Sequence, residues 1–204
     1  MIHDQGLVDQ LSALAVERFN GEVFRATGIS ADPLAFSVNG GRWAPAAQDG
    51  ADVPVLYTSV ARDGALAEIV SYLMQLTPLP VSRPLKVSWL GVSTARTLRL
   101  ARVGLEVLGI DMARYGERDY RRTQSVGAAL AFLGIDGLIA PSARWQCDNL
   151  MIYQSNHLLA ERLEVITEET VDWVDWARQN GFVELVPPHL RPKSRSMSAS
   201  LSST

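Results

Sequence analysis

The chain has 204 residues, of which 47% are hydrophobic and 20% are charged, a composition typical of a globular domain with a sizeable core. Its formal net charge of −3 argues against a basic surface for nucleic acid or membrane, so we expect direct contact with neither. Cys147 is the single cysteine, which excludes an internal disulfide and favours a reducing compartment. Because no signal-peptide pattern or long apolar run occurs, we expect a cytoplasmic protein.

In chain order, the first predicted element is a helix in residues 1–20, because apolar residues recur one helical turn apart and Asn20 and Gly21 form a typical helix end. A strand at 22–27 leads into a loop at 28–52, and loops of that length often carry function. Further strands are predicted at residues 53–59, 85–92, 96–101, 136–143, 149–154 and 162–166. Further helices are predicted at residues 62–76, 118–134 and 170–179.

Short strands interspersed with a few helices indicate an α+β or mixed α/β fold. The strict alternation of strand and helix that marks a doubly wound sheet is missing. We therefore predict one domain at residues 21–186 after the N-terminal helix. Residues 187–204 are polar and rich in serine, and we predict that they form a disordered tail.

Several common catalytic motifs do not occur in this sequence. It contains no HExxH or CxxC pattern with metal-ligand spacing, and its three histidines are scattered. A Walker A motif, a GxGxxG opening a helix and a GxSxG nucleophile elbow are also missing. The sequence therefore disfavours the common metalloenzyme, dinucleotide oxidoreductase and serine hydrolase classes.

Two polar residues stand inside apolar runs of predicted elements. Glu68 has no lysine or arginine three or four residues away on its predicted helix, so it lacks the usual local ion-pair partner. It is either a solvated helix residue or a carboxylate reserved for a site. Tyr57 lies in the run VPVLYTS, where a tyrosine is either a core aromatic or part of a ligand site.

Further candidates lie in strands and loops. Arg25 follows Phe24 in a predicted strand, and the glycine-flanked Arg42 stands in the long loop beside Trp43, so either arginine is a surface charge or an anion-binding group. Ser142 and Asn149 are turn residues or contacts at the end of a strand, where ligands often bind. Taken together, these residue types suggest a site for a substrate that carries phosphate or carboxylate.

Four segments occur in this order along the chain: VFRAT, GGRW, VLYTSVARDGALAEIV and GIDGLIAPSARWQCDNLMIY. In this order they resemble the RES-domain proteins, which are toxins of Xre–RES toxin–antitoxin modules. The resemblance runs from about residue 23 to about residue 153, and the segment RRTQSVGAALAFLGIDG fits it as well. One position departs from the family pattern, because Ala44 follows GGRW where the family commonly has asparagine.

The resemblance implies an α+β fold similar to that of ADP-ribosyltransferase toxins, with a cleft for NAD⁺ between small mixed sheets. It also implies an enzyme that breaks the nicotinamide–ribose bond of NAD⁺, depletes cellular NAD⁺ and arrests growth. NAD⁺ is then a substrate, inorganic phosphate is a possible co-substrate, and no cofactor or metal is expected. The positions that match the family's site residues are Arg25, Arg42, Tyr57, Glu68 and Ser142.

Each of these residues has a role that suits this reaction. Glu68 is expected to stabilise positive charge on the ribose, and Arg25 and Arg42 are expected to hold the pyrophosphate. Tyr57 is expected to stack on nicotinamide and Ser142 to hydrogen-bond the substrate or the acceptor. Further candidates for contact with NAD⁺ are Trp43, which packs the loop down or walls the cleft, and Asn149.

The acceptor decides which reaction follows the loss of nicotinamide. Phosphate gives phosphorolysis and water gives hydrolysis, the two outcomes we favour, whereas a protein side chain gives ADP-ribosylation. A non-catalytic module that binds NAD⁺ or a partner is a further alternative. The resemblance also implies an Xre-family antitoxin that blocks the cleft in a hetero-oligomer.

Overall fold

The structure is a computed structural model that describes residues 3–47, 53–76 and 84–182. Within these residues it has one six-stranded mixed sheet and five helices, which confirms the predicted α+β class. The tail predicted at residues 187–204 lies outside the described residues. The elements in chain order are α1 (Gln5–Ser12), β1 (Val16–Gly28), β2 (Val55–Ser59), α2 (Arg62–Leu73), β3 (Leu85–Arg99), α3 (Arg102–Val107), α4 (Arg121–Phe132), β4 (Gly137–Pro141), β5 (Asp148–Tyr153), β6 (Leu163–Val171) and α5 (Trp173–Gln179).

The sheet consists of two three-stranded halves that join at two corners. In one half, β3 pairs antiparallel with β1 on one edge and with β6 on the other. In the other half, β5 pairs antiparallel with both β2 and β4. The halves meet where the end of β3 runs parallel to β4 and where Phe24 of β1 lies opposite Ser59 of β2. Strands β1, β2, β5, β4 and β3 therefore form a closed circuit, with β6 outside it.

The N-terminal helix is shorter than the sequence predicts. Helix α1 ends at Ser12, and residues 16–28 form the long strand β1, so the prediction of a helix over residues 1–20 is wrong in its second half. Asn20 and Gly21 lie inside this strand instead of ending a helix. The physical reason is that β1 pairs along its whole length with the 15-residue strand β3, and this tertiary pairing outweighs local helical spacing.

Strand β3 is longer than the sequence predicts. The strands predicted at residues 85–92 and 96–101 are one continuous strand. The buried Asp136 carboxylate accepts hydrogen bonds from the backbone N–H groups of Ala95 at 2.7 Å and Arg96 at 2.9 Å. This side chain satisfies the backbone at the point where β3 passes from its pairing with β6 to its pairing with β4.

The helices differ from the predictions mainly at their ends. Helix α3 was not predicted, because six residues give less than two turns of periodicity. Helix α2 ends three residues before the predicted end at 76, and α4 and α5 each begin three residues after their predicted starts at 118 and 170. In α5 the Asp172 carboxylate caps the first turn, so residues 170 and 171 remain in β6.

Three apolar clusters hold these elements together. One lies beneath α1, α3 and α4, and a second lies between α2, α5 and the start of β3. The buried members of the third cluster come from all five strands of the closed circuit, so it fills the space between them. No helix in the described ranges has the length and apolar character needed to cross a membrane.

Candidate active site

A cleft of about 570 Å³ opens beside α2, in the size range of small-molecule sites. Its walls come from β1 and β2, from the loop at residues 39–43, from the segment that precedes α4 and from the strands β4 and β5. Of the residues predicted from the sequence, six line this cleft: Arg25, Arg42, Trp43, Tyr57, Glu68 and Asn149. The fold therefore gathers side chains from widely separated parts of the chain into one site.

Glu68 of α2 is held by two hydrogen bonds to the same carboxylate oxygen. Ser142 Oγ donates to Glu68 Oε1 at 2.7 Å, and Asn149 Nδ2 donates to it at 2.9 Å. Among the described residues, Glu68 Oε2 accepts no hydrogen bond. One oxygen is thus fixed to the protein, while the other is available to a ligand in the cleft.

Ser142 supports Glu68 and is itself only 6% exposed. Its Oγ accepts hydrogen bonds from the backbone N–H groups of Arg144 at 3.0 Å and Trp145 at 3.1 Å. Because these two donors occupy the oxygen's lone pairs, the hydroxyl proton points to Glu68. The turn after β4 therefore fixes the direction of this hydrogen bond.

Asn149, at the start of β5, completes the network. Its amide nitrogen must face Glu68, because the amide oxygen would be repelled by the carboxylate. In this orientation Asn149 Oδ1 is buried and has no hydrogen-bond partner among the described residues. Native structures leave few such atoms unpaired, so this oxygen is a candidate acceptor for a ligand donor.

Arg42 stands on a tight turn in the predicted loop. Gly40 has a φ of 75°, and the Gly41 N–H donates to the Ala44 carbonyl at 2.9 Å. The Arg42 guanidinium carbon lies 4.6 Å from the ring centroid of Tyr115 and 4.7 Å from that of Tyr120.

Burial lowers the pKa of Arg42 from its usual value, while nearby groups that include Glu68 oppose this shift. An arginine side chain nevertheless keeps its charge in a protein. The cleft therefore presents a fixed cation and a fixed carboxylate on its walls.

Arg25 of β1 connects the cleft to the long loop. Its Nη1 donates to the carbonyls of Pro33 at 2.8 Å and Ala35 at 2.7 Å. Burial lowers its pKa, and the charge of Asp32 opposes that shift. Arg25 therefore shapes the loop as well as lining the cleft.

Tyr57 and Trp43 hold the turn that carries Arg42 against the sheet. The Trp43 N–H donates to the Tyr57 hydroxyl at 3.2 Å, and burial raises the pKa of Tyr57. The Trp43 side chain is 2% exposed and packs in the apolar cluster beneath α4, which leaves little of the indole open to a ligand. Ala44 is 1% exposed in the same cluster, so the departure from the family pattern lies in the core.

Four residues near the site were not singled out from the sequence. Tyr115 and Tyr120 contact Arg42, and Arg118 lines the cleft and donates to the Ser71 carbonyl at 3.2 Å. Arg144 lies close enough for its charge to lower the pKa of Arg42. The alternation of aromatic and basic residues in RYGERDYRR was the available signal. Among the described residues, no group of histidine, cysteine, aspartate and glutamate could hold a metal ion.

The split mixed sheet, with five helices in the described residues, is consistent with the α+β, ADP-ribosyltransferase-like fold that the sequence resemblance implies. The family model of the RES domain matches residues 22–174, more than half of the chain, and the chain therefore belongs to the RES-domain family.

The fold is also similar to a chain in the structure described as the crystal structure of the M. tuberculosis MbcT–MbcA toxin–antitoxin complex. The TM-score is 0.72 at 18% sequence identity, over 87% of this chain and 98% of that chain. At this identity the similarity shows a shared fold. No curated protein sequence matches the chain significantly.

Proposed function

We propose that this RES-domain protein cleaves the bond between nicotinamide and ribose in NAD⁺, by phosphorolysis or by hydrolysis. The observation that carries the proposal is the Glu68 carboxylate, which Ser142 and Asn149 fix through one oxygen while the other remains available to a ligand. Arg25 and Arg42 line the same cleft and suit the two phosphates of a dinucleotide.

The chemistry needs a negative group beside the ribose. As the C1′–N bond breaks, its electron pair leaves with neutral nicotinamide, and positive charge develops on the ribose ring. A carboxylate that is already in place stabilises this charge more strongly in the transition state than in the bound substrate. Glu68 has this role in the proposal, through the carboxylate oxygen that accepts no hydrogen bond from the described residues.

An oxygen of the acceptor then forms the new bond to C1′. Phosphate gives ADP-ribose 1″-phosphate, and water gives ADP-ribose and releases a proton. Tyr57 is the candidate to stack on nicotinamide, and Arg25 and Arg42 are the candidates to hold the pyrophosphate. Asn149, whose buried Oδ1 has no hydrogen-bond partner among the described residues, is a further candidate contact for the substrate.

The biological role in this proposal is that of a toxin. Family membership and the fold shared with a chain from a toxin–antitoxin complex support it. Loss of NAD⁺ would arrest growth, and an Xre-family antitoxin bound over the cleft would prevent that loss. Such an antitoxin is a protein partner, and the proposal requires no direct contact of this chain with nucleic acid.

Product analysis after incubation with NAD⁺, with and without phosphate, tests the proposal. Wild-type protein should release nicotinamide, and added phosphate should replace ADP-ribose with its phosphorylated form if phosphorolysis occurs. Glu68→Gln keeps the size of the side chain but removes its charge, so nicotinamide release should fall at least about a hundredfold. Glu106→Gln, in helix α3 outside the cleft lining, is the matched control and should retain full activity.

Two results would contradict the proposal. Folded wild-type protein that leaves NAD⁺ intact but binds it in calorimetry would indicate a non-catalytic binding module. Labelled NAD⁺ that marks a discrete protein band in cell lysate, without release of free ADP-ribose or its phosphate, would indicate a protein ADP-ribosyltransferase.

A further inference from the structure

The Arg42 side chain is confined by two tyrosines from the segment between α3 and α4. The guanidinium carbon lies 4.6 Å from the ring centroid of Tyr115 and 4.7 Å from that of Tyr120, within the range of cation–π attraction. Its Nη2 donates to the Glu117 carbonyl at 3.3 Å, and no other Arg42 donor has a partner among the described residues. Packing against rings restrains the plane of the guanidinium but leaves its remaining N–H edge available to an anion.

Tyr115 also connects Arg42 to the carboxylate side of the cleft. Its hydroxyl donates to the carbonyl of Pro141 at 2.8 Å, and the next residue, Ser142, donates to Glu68. Burial raises the pKa of Tyr115 to about 12, so the phenol remains a donor at neutral pH. A short chain of contacts therefore runs from Arg42 through Tyr115 to the group that holds Glu68.

Restraint of this kind matters because arginine has many side-chain conformations. A free arginine on a glycine-flanked loop loses this freedom when it binds an anion, which weakens the affinity. A guanidinium already held by two rings loses less. Tyr115 also connects the cation to the side of the cleft that holds Glu68, and a dinucleotide must reach both groups at once.

We propose that Tyr115 and Tyr120 are positioning residues that hold the Arg42 guanidinium ready for the pyrophosphate of the substrate, and that Tyr115 sets its distance from Glu68 through the Pro141 carbonyl. This inference rests on the proposed cleavage of NAD⁺. Both tyrosines act through Arg42 and Glu68 and take no part in bond breaking.

The first test measures the affinity for ADP-ribose by calorimetry, which needs no turnover. Tyr120→Leu removes one ring and should weaken binding about 5- to 30-fold, whereas Tyr120→Phe keeps the ring and should stay within about twofold of wild type. In an Arg42→Ala background, Tyr120→Leu should cause no further loss. Phe132→Leu, which changes an exposed aromatic residue at the far end of α4, is the matched control, and melting temperatures check the fold of every variant.

The second test separates the two functions of Tyr115. Tyr115→Phe keeps the ring but loses the hydrogen bond to Pro141, so the affinity for ADP-ribose should remain while kcat for NAD⁺ falls about tenfold. A variant that only loosens the fold would instead lower its melting temperature and weaken binding and turnover together.

Several outcomes overturn the inference. One is that Tyr120→Leu weakens the affinity for ADP-ribose equally in the presence and in the absence of Arg42, because the ring would then act independently of the guanidinium. Another is affinity within twofold of wild type for Tyr120→Leu, and a third is the absence of ADP-ribose binding by folded wild-type protein. Wild-type protein that binds ADP-ribose but leaves NAD⁺ intact would overturn the proposed function alone, since the affinity test still applies.

Discussion

Ser142 donates its hydroxyl proton to Glu68 across 74 residues of sequence, at 2.7 Å. The hydroxyl is directed there by two backbone N–H groups of the following turn, so the serine is a fixed donor. A serine used in this way cannot at the same time be a free nucleophile. The geometry of this candidate site therefore fits a positioned carboxylate better than a serine nucleophile.

Ser142→Ala should reduce nicotinamide release about 10- to 100-fold, because hydrogen bonds to charged groups contribute about 1.5–3 kcal/mol. It should also lower the free energy of unfolding by about 1–3 kcal/mol, since the two backbone donors of the turn lose their acceptor. Steady-state kinetics and urea unfolding measure the two effects. Ser12→Ala, at an exposed serine of α1, is the control, and turnover of Ser142→Ala equal to that of the control would contradict the expectation.

Gly41→Ala should disrupt the turn that presents Arg42. A Cβ at this position would lie 2.6 Å from the Tyr57 hydroxyl oxygen, so either the tyrosine or the loop must move. We expect a loss of at least tenfold in kcat/KM for NAD⁺. Gly28→Ala is the control, because a Cβ there meets nothing within 4 Å, and equal activity of the two variants would show that the turn tolerates the added methyl group.

Ala44→Asn restores the residue that the family commonly has, yet it should destabilise this protein. Ala44 is buried in an apolar cluster, and an unpaired amide in such a place costs about 1–3 kcal/mol. The midpoint of urea unfolding measures the loss, with Ala47→Asn at an exposed position as the control. Unchanged stability would indicate that the asparagine finds partners in the loop.

The stability of the protein should fall as the pH rises above about 10. Burial raises the pKa values of Tyr57, Tyr115 and Tyr153, so the folded protein keeps phenolic protons that the unfolded chain releases. The stabilising effect of each tyrosine is complete below the unfolded pKa of about 10, and it declines by about 1.4 kcal/mol per pH unit above it.

Urea unfolding at a series of pH values measures this slope. The ultraviolet absorbance of tyrosinate from these three buried side chains should rise together with unfolding and not before it. Tyr57→Phe should flatten the pH dependence, and a pH slope unchanged by this substitution would contradict the assignment to Tyr57.

The fold class follows from the sequence because short β-rich runs and helical spacing are local properties. Strand β1 could not be predicted in full, because residues 16–21 are extended through their pairing with residues of β3 that lie 71 to 82 positions further along the chain. The fusion of two predicted strands into β3 depends similarly on Asp136, a distant side chain that satisfies the backbone between them.

The order of the family motifs predicts which residues line the site, but it does not predict the contacts between them. Nothing local to Glu68 indicates that Ser142 and Asn149 share one of its oxygens. Tyr115 and Tyr120 were missed for the same reason, because their partner Arg42 lies on a different loop. Trp43 differs from its sequence-based expectation in another way. It lies in a glycine-rich loop, where side chains are usually exposed, yet it is only 2% exposed.

The closed circuit of strands has a consequence for the newly made chain. Strand β5, which carries Asn149, is made late, yet it pairs on one side with β2 and on the other with β4. Translation must therefore pass residue 149 before the hydrogen bonds that hold the Glu68 carboxylate can all form. A product of translation that stops earlier would leave Glu68 without its hydrogen bond from Asn149.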